Sequence, residues 1–137
     1  MEDVKKRSDC PISCSLDILG DKWSLLIVRD LLWKGVCTYG DLAKSPEGIA
    51  TNILAGRLRK LEENGLVSRS ASPENKLKVL YRLTPKGIGL FPVIVEYTLW
   101  AAKYLDLPLE DNPIVKGVAA QGKEAYIRSV MSVLETR

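Results

Sequence analysis

The sequence predicts an α+β, mostly helical fold, in which short helices and a β-hairpin form a head and further helices flank it. Three observations carry that reading. Apolar residues recur at helical spacing along most of the chain, between recognisable caps and stops. Only "LVSRSA" (66–71) and "KVLYRL" (78–83) have strand-like composition, and they enclose the turn-rich "SPENK" (72–76). A chain of 137 residues is long enough for one domain with a real core and short for two.

In order along the chain, residues 12–19 place Ile12, Leu16 and Leu19 on one helical face, and Gly20 ends the turn. Asp21 can cap the next helix. "KWSLLIVRDLLW" (22–33) is apolar nearly all round, with Trp23, Leu26, Ile27 and Leu31 at core spacing, and should be the central buried helix, closed by Gly35. Thr38 with Asp41 three residues on resembles a capping box for a short helix over "TYGDLAK", after which "SPEG" turns the chain. The fourth helix spans about 50–64, "ATNILAGRLRKLEEN", with Leu54, Leu58 and Leu61 as its apolar stripe and Asn64-Gly65 as a left-handed stop. The hairpin follows, its tip (72–78) basic through Lys76 and Lys78.

Thr84-Pro85 starts a fifth helix, expected to run to about Tyr104 with a bend at Pro92. Ile88, Phe91, Val95 and Leu99 can face inward, which leaves Val93, Tyr97, Trp100 and Tyr104 in need of cover that a partner subunit would supply. "DLPLEDNP" (106–113) reads as a linker, and a last amphipathic helix over about 123–135 carries Ile127, Val130, Met131 and Leu134 on one face. The expected organisation is therefore a mobile arm at 1–9, a main domain at 10–105 including the long helix, and a linker with a C-terminal helix at 106–137. Four helices, a hairpin and a long helix, in that order, make a winged helix-turn-helix with flanking helices.

Charge narrows the partner. The net charge is only +3, but residues 50–87 hold eight Lys/Arg against three Asp/Glu while the stretches on either side are slightly acidic. This local excess covers the fourth helix and the hairpin, as expected of a polyanion-binding surface. On a helical wheel the side opposite the leucines presents Asn52, Ala55, Gly56, Arg59 and Glu63, with Lys60 at its edge. Asn52 can pair with adenine, Arg59 with guanine or phosphate, and Thr51 and Ala55 can touch a thymine methyl. Arg57 lies beside the apolar stripe, where it serves either a phosphate contact or an internal ion pair. Lys76 and Lys78 suit phosphates better than bases.

The inventory excludes most catalysis. With no histidine, Ser/His/Asp and Cys/His arrangements are absent, and no phosphate-binding glycine loop or zinc-ligand spacing is present, so neither an enzyme nor a cofactor or metal is expected. Charge interrupts every apolar run before membrane-spanning length, and the N-terminus lacks a secretory signal, which points to the cytoplasm. Of the three cysteines, Cys14 and Cys37 read as small core residues. Cys10 precedes Pro11 just outside the first helix, with Lys5, Lys6 and Arg7 near enough to favour a thiolate, and is a candidate redox sensor.

"CP" at 10–11, "LDILGDKWSLLIVRDL" at 16–31, "YGDL" at 39–42, "GIATNILAGRLRKLEENGLVSR" at 48–69 and "YRLTPKGIGLFPVI" at 81–94 together resemble the HxlR-type winged-helix transcriptional regulators, over about residues 10–105. The resemblance implies a nucleoid-associated homodimer on a dyad-symmetric DNA operator, its interface built from the first helix (Ile12, Leu16) and the long helix (Val93, Tyr97, Trp100, Tyr104). It also implies control by an electrophile or an oxidant through Cys10. A small-molecule pocket near Tyr97 and Trp100 is a further expectation. Two positions depart from the pattern: Ala50 stands where the family often has Ser or Thr, with Thr51 a substitute cap, and Gly56 stands where a long polar residue is common. The competing reading is a winged-helix protein-interaction module whose basic face is incidental. A thiol-dependent redox enzyme is disfavoured by the lack of histidine and of a CxxC pair.

Overall fold

The computed structural model describes residues 6–137. Its elements are α1 (Pro11–Leu19), α2 (Ser24–Lys34), β1 (Cys37–Thr38), α3 (Tyr39–Ala43), α4 (Thr51–Glu63), β2 (Val67–Ala71), β3 (Val79–Leu83), α5 (Pro85–Ile88), α6 (Phe91–Tyr104), α7 (Pro113–Gln121) and α8 (Lys123–Glu135). One compact unit ends at Gly87 and a second begins at Ile88. The sequence placed the corresponding boundary at 105/106.

In the first unit α2 is the centre, with Ile27, Val28, Leu31 and Leu32 buried, and it packs on α4, whose Leu54, Leu58 and Leu61 are buried as their spacing requires. Trp23 and Leu26, expected in the core, are only half-buried. The helix starts two residues late because Asp21 takes the amides of Trp23 and Ser24 at 3.0 Å each and the Ser24 hydroxyl at 2.5 Å, which holds Trp23 at the helix mouth. Val28 and Leu32 fill the interior instead.

The hairpin is part of a three-stranded antiparallel sheet in the order β1-β3-β2, with Cys37 opposite Tyr81 and Thr38 opposite Leu80. The strand β1 escapes sequence reading, since two residues cannot display a period of two. Thr38 also caps α3: its hydroxyl accepts from the Asp41 amide at 3.1 Å, and Asp41 accepts from the Thr38 amide at 2.9 Å, so the predicted capping box is complete.

Ala50 is the N-cap of α4 and offers no side-chain bond; Thr51 is already helical and is not the substitute cap. The other end is firm. Gly65, at φ +75°, donates to Glu62 O at 3.0 Å while the Leu66 amide reaches Leu61 O at 2.9 Å, satisfying two terminal carbonyls, and Leu61 and Leu66 are both buried.

The single helix expected from Pro85 to Tyr104 is two helices. Pro92 has no N–H to give Ile88 and lies in the first turn of α6, where none is needed, so the chain breaks before it instead of bending at it. The second unit comprises α6, α7 and α8. The helix α7 lies within what the sequence treated as linker and approach to the last helix. Asn112 caps it, accepting from Ile114 and Val115 at 3.0 and 3.1 Å, and Pro113 opens it. The Tyr126 ring rests where a Cβ on Gly117 would stand, and its centroid is 6.0 Å from that of Phe91. Tyr126 and Leu134 are the buried residues of α8, while Ile127, Val130 and Met131 are half-buried. Lys123 joins α8 to Glu96 of α6 at 2.6 Å.

Candidate nucleic-acid interface

The helix α4 turns its leucines inward, and Thr51, Asn52 and Arg59 are consequently exposed, with Ala55, Gly56 and Lys60 half-buried between them. Apart from its chain neighbours and the backbone of its own helix, no atom of the described residues lies within 4 Å of where a Gly56 Cβ would stand, so the glycine is not demanded by packing. Arg59 makes no ion pair among the described residues, whereas Arg57 donates from Nε to Asp21 at 2.9 Å. Of the two roles open to Arg57, the internal pair is the one present: it ties α4 to the cap of α2. Burial raises the Asp21 carboxyl, but the hydrogen bonds from Ser24, the Trp23 and Ser24 amides and Arg57 outweigh it and leave the group below its ordinary value.

A second network fixes the approach to α4. Arg29 of α2 reaches Glu47 at 2.7 Å, Asp30 at 2.9 Å and the Ser45 hydroxyl at 3.2 Å, which pins the turn between α3 and α4. The Arg29 guanidinium holds the Glu47 carboxyl down at about 2. Tyr39 adds a clamp from the other side, its hydroxyl donating to the Thr51 carbonyl. The start of α4 is thus tied to α2 through Arg29 and to α3 through Tyr39.

Beside Arg59 lies a groove of about 260 Å³, lined chiefly by Tyr39, Ala55, Arg59, Glu62, Arg69 and Tyr81. Arg69 faces Glu62 at 3.5 Å, while Arg59 has no ion pair among the described residues. Sequence reading did not place Tyr39 or Tyr81 here, because their approach to α4 depends on the register of β3 against β1 and β2.

In the wing, the Ser72 amide donates to Lys78 O at 2.8 Å, the Lys78 amide to Asn75 O at 2.9 Å, and the Leu77 amide to Asn75 Oδ1 at 3.1 Å. These bonds hold Lys76 and Lys78 out in solvent without ion pairs among the described residues, on either side of Leu77, which is 93% exposed and which sequence reading passed over. Arg82 is exposed on β3.

Cys10 is exposed, Cys14 half-buried and Cys37 buried in the sheet. The Cys10 thiol is held below its ordinary pKa by the amides of Ser13 and Ile12, at the N-terminal end of α1. The basic neighbours expected to do this are otherwise engaged: Lys6 pairs with Asp9 and Arg7 with Asp17, and Lys5 lies outside the described residues. Burial pushes the Cys37 thiol up.

On α1, Ile12 is 71% and Leu16 47% exposed; on α6, Val93, Tyr97, Trp100 and Tyr104 are 40, 59, 58 and 62% exposed. The Trp100 and Tyr104 rings meet at a tilt of 46°, 5.5 Å between centroids. Among the described residues no group of His, Cys, Asp and Glu could hold a metal ion, and no helix is long and apolar enough to cross a membrane.

Residues 18–108 match the HxlR-like helix-turn-helix family. An uncharacterised HTH-type transcriptional regulator of Synechocystis, sll1512, is 40% identical over 86 residues, which are 63% of this chain and 63% of that relative. The HTH-type transcriptional regulator YodB of Bacillus subtilis is 34% identical over 98 residues, 71% of this chain and 87% of YodB. The structure of its reduced form superposes with a TM-score of 0.60 at 32% identity, covering 72% of this chain and 97% of YodB, and YodB is also known diamide-treated and quinone-bound. The redox regulator HypR in its oxidized form matches at a TM-score of 0.60 and 28% identity, over 72% of this chain and all of HypR.

Proposed function

Because this chain belongs to the HxlR-like helix-turn-helix family and is a transcriptional regulator rather than an enzyme, we propose that it works as a homodimer on a dyad-symmetric DNA operator. The observation that carries this reading is the outward face of α4, where Asn52 and Arg59 stand exposed, with no ion pair on Arg59 among the described residues, beside Thr51, Ala55 and Gly56. Presented to a major groove, Asn52 reads adenine, Arg59 takes guanine or the adjacent phosphate, and Thr51 and Ala55 meet thymine methyls. Lys60 lies at the edge of this face, and Lys76 and Lys78 take the flanking backbone. Arg57 acts at one remove, through Asp21. Ile12 and Leu16 on α1, and separately Val93, Tyr97, Trp100 and Tyr104 on α6, are the apolar residues that a second copy covers. DNA binding makes the cytoplasmic nucleoid the place of action.

Control runs through Cys10, whose exposure and lowered pKa suit attack on an electrophile or oxidant. The likeness to YodB, known in diamide-treated and quinone-bound forms, supports that assignment.

The test is a mobility-shift ranking of operator variants drawn from the upstream DNA of the gene. Asn52→Ala should reorder the ranking at one base pair per half-site, by about 1–3 kcal/mol of discrimination. An unchanged ranking would show that α4 presents another face. Binding that ignores both sequence and salt would favour the protein-interaction reading.

A further inference from the structure

We propose that Cys14 is the resolving thiol for Cys10, so that a hydroperoxide oxidises this chain to an intrachain Cys10–Cys14 disulfide; the inference rests on Cys10 being the reactive thiol. Three facts converge on Cys14. Side chains on a helix lean toward its N-terminus, and the Cys14 thiol accordingly donates to the Ser8 carbonyl at 3.3 Å, reaching back past Cys10. The Cys14 amide bonds the Cys10 carbonyl at 2.9 Å, so the two residues are one helical turn apart. That turn separates their Cα atoms by about 6 Å, within the span a disulfide bridges. Cys37, the third thiol, is 1% exposed and held in β1 opposite Tyr81, with its thiol pushed toward the protonated form by burial.

The chemistry balances with the hydroperoxide as two-electron oxidant. The Cys10 thiolate attacks the terminal oxygen and cleaves the O–O bond, which leaves Cys10 as a sulfenic acid and releases an alkoxide that takes up a proton to become the alcohol. Cys14 sulfur then attacks the Cys10 sulfur and expels hydroxide, which leaves as water with the Cys14 proton. Two thiols and one hydroperoxide yield one disulfide, one alcohol and one water.

Closing this bridge distorts the first turn of α1, because side chains four apart on a regular helix do not bring their β-carbons to bonding distance for a disulfide. The turn is weakly held: α1 has no buried residue, no side-chain cap and no acidic residue in its first turn. Ile12 lies between the two cysteines and is 71% exposed. Oxidation would therefore move the residue of α1 most available to a second copy.

The experiment treats the full-length chain with cumene hydroperoxide, with and without dimedone, and maps the products by non-reducing peptide mass spectrometry beside a non-reducing gel. Wild type and Cys37→Ser should give a monomeric band and a Cys10–Cys14 peptide lighter by two hydrogens. Cys14→Ser should lose that peptide completely and show dimedone on Cys10. Amide exchange at Ser13 and Cys14 should quicken on oxidation of wild type and not of Cys14→Ser. A Cys10–Cys10 bridge between chains, or dimedone on wild-type Cys10 as abundant as on Cys14→Ser, would overturn the role of Cys14 while leaving Cys10 as sensor. Absence of any Cys10 product in all three proteins would overturn both.

Discussion

Gly56 stands on the outer side of α4 with open space where a side chain would begin, so alanine there meets no obstacle within the protein. Helix propensity alone then makes Gly56→Ala more stable by up to about 1 kcal/mol. If the glycine serves close approach to the DNA groove, the same variant should bind operator more weakly; higher melting temperature with full affinity would make it a tolerated imperfection. Glu47 offers a separate residue-scale test, through pH. Its carboxyl sits at about 2 in the folded chain against an ordinary 4.5, chiefly through its hydrogen bond from Arg29. A depressed carboxylate contributes stability that is complete above the ordinary value and is lost as the pH falls through the folded one. Glu47→Gln should accordingly be less stable at neutral pH and lose less between pH 4.5 and 2, and coincident acid-unfolding curves for the two proteins would refute the pair's contribution. The wheel placed Asn52 and Arg59 outward correctly, because one helix's periodicity settles which side faces solvent. It could not choose between the roles of Arg57, since its partner Asp21 is 36 residues away and belongs to another helix.

At the scale of elements, what was legible had strong local chemistry: the capping box of α3, the Gly65 stop of α4 and the Gly35 end of α2 are all formed as their residues require. What was missed falls in two kinds. The strand β1 exists only because Cys37 and Thr38 lie against β3, a long-range pairing that two residues cannot announce. The helix α7 did carry its signal, an Asn followed by Pro, which also reads as a turn. Asn112→Ala should cost about 1 kcal/mol in denaturant unfolding through loss of that cap, and no change would mean that packing against α6 and α8 alone holds α7. The wing, by contrast, is proposed to act in binding, and its test lies there. If Lys76 and Lys78 each neutralise one phosphate, replacing both by alanine should flatten the slope of log affinity against log salt by about 0.9 per contact for each subunit, with operator ranking preserved. An unaltered slope would remove the wing from the backbone.

For the whole molecule, the decisive surface is the open face of α6. Phe91, Ile94 and Val95 are buried in their own unit, while Tyr97, Trp100 and Tyr104 each remain more than half exposed. Three large aromatic residues on one helix form an apolar surface of a kind seldom left to water, and in the proposed homodimer a second copy related by a dyad would cover it with the same residues. Trp100→Glu places a charge in that contact without touching the buried side, so circular dichroism and the melting of the monomer should change little. Sedimentation should then show a monomer where wild type is a dimer. The operator consequence follows from linkage: a dimer holds its second recognition helix near the second half-site at high effective concentration, an advantage of 10²–10⁴-fold when geometry permits. Trp100→Glu should therefore bind a full operator on the order of a hundredfold more weakly while binding an isolated half-site about as wild type does. A variant that remains dimeric, or a monomer that keeps full operator affinity, would show that the aromatic face of α6 serves some other partner.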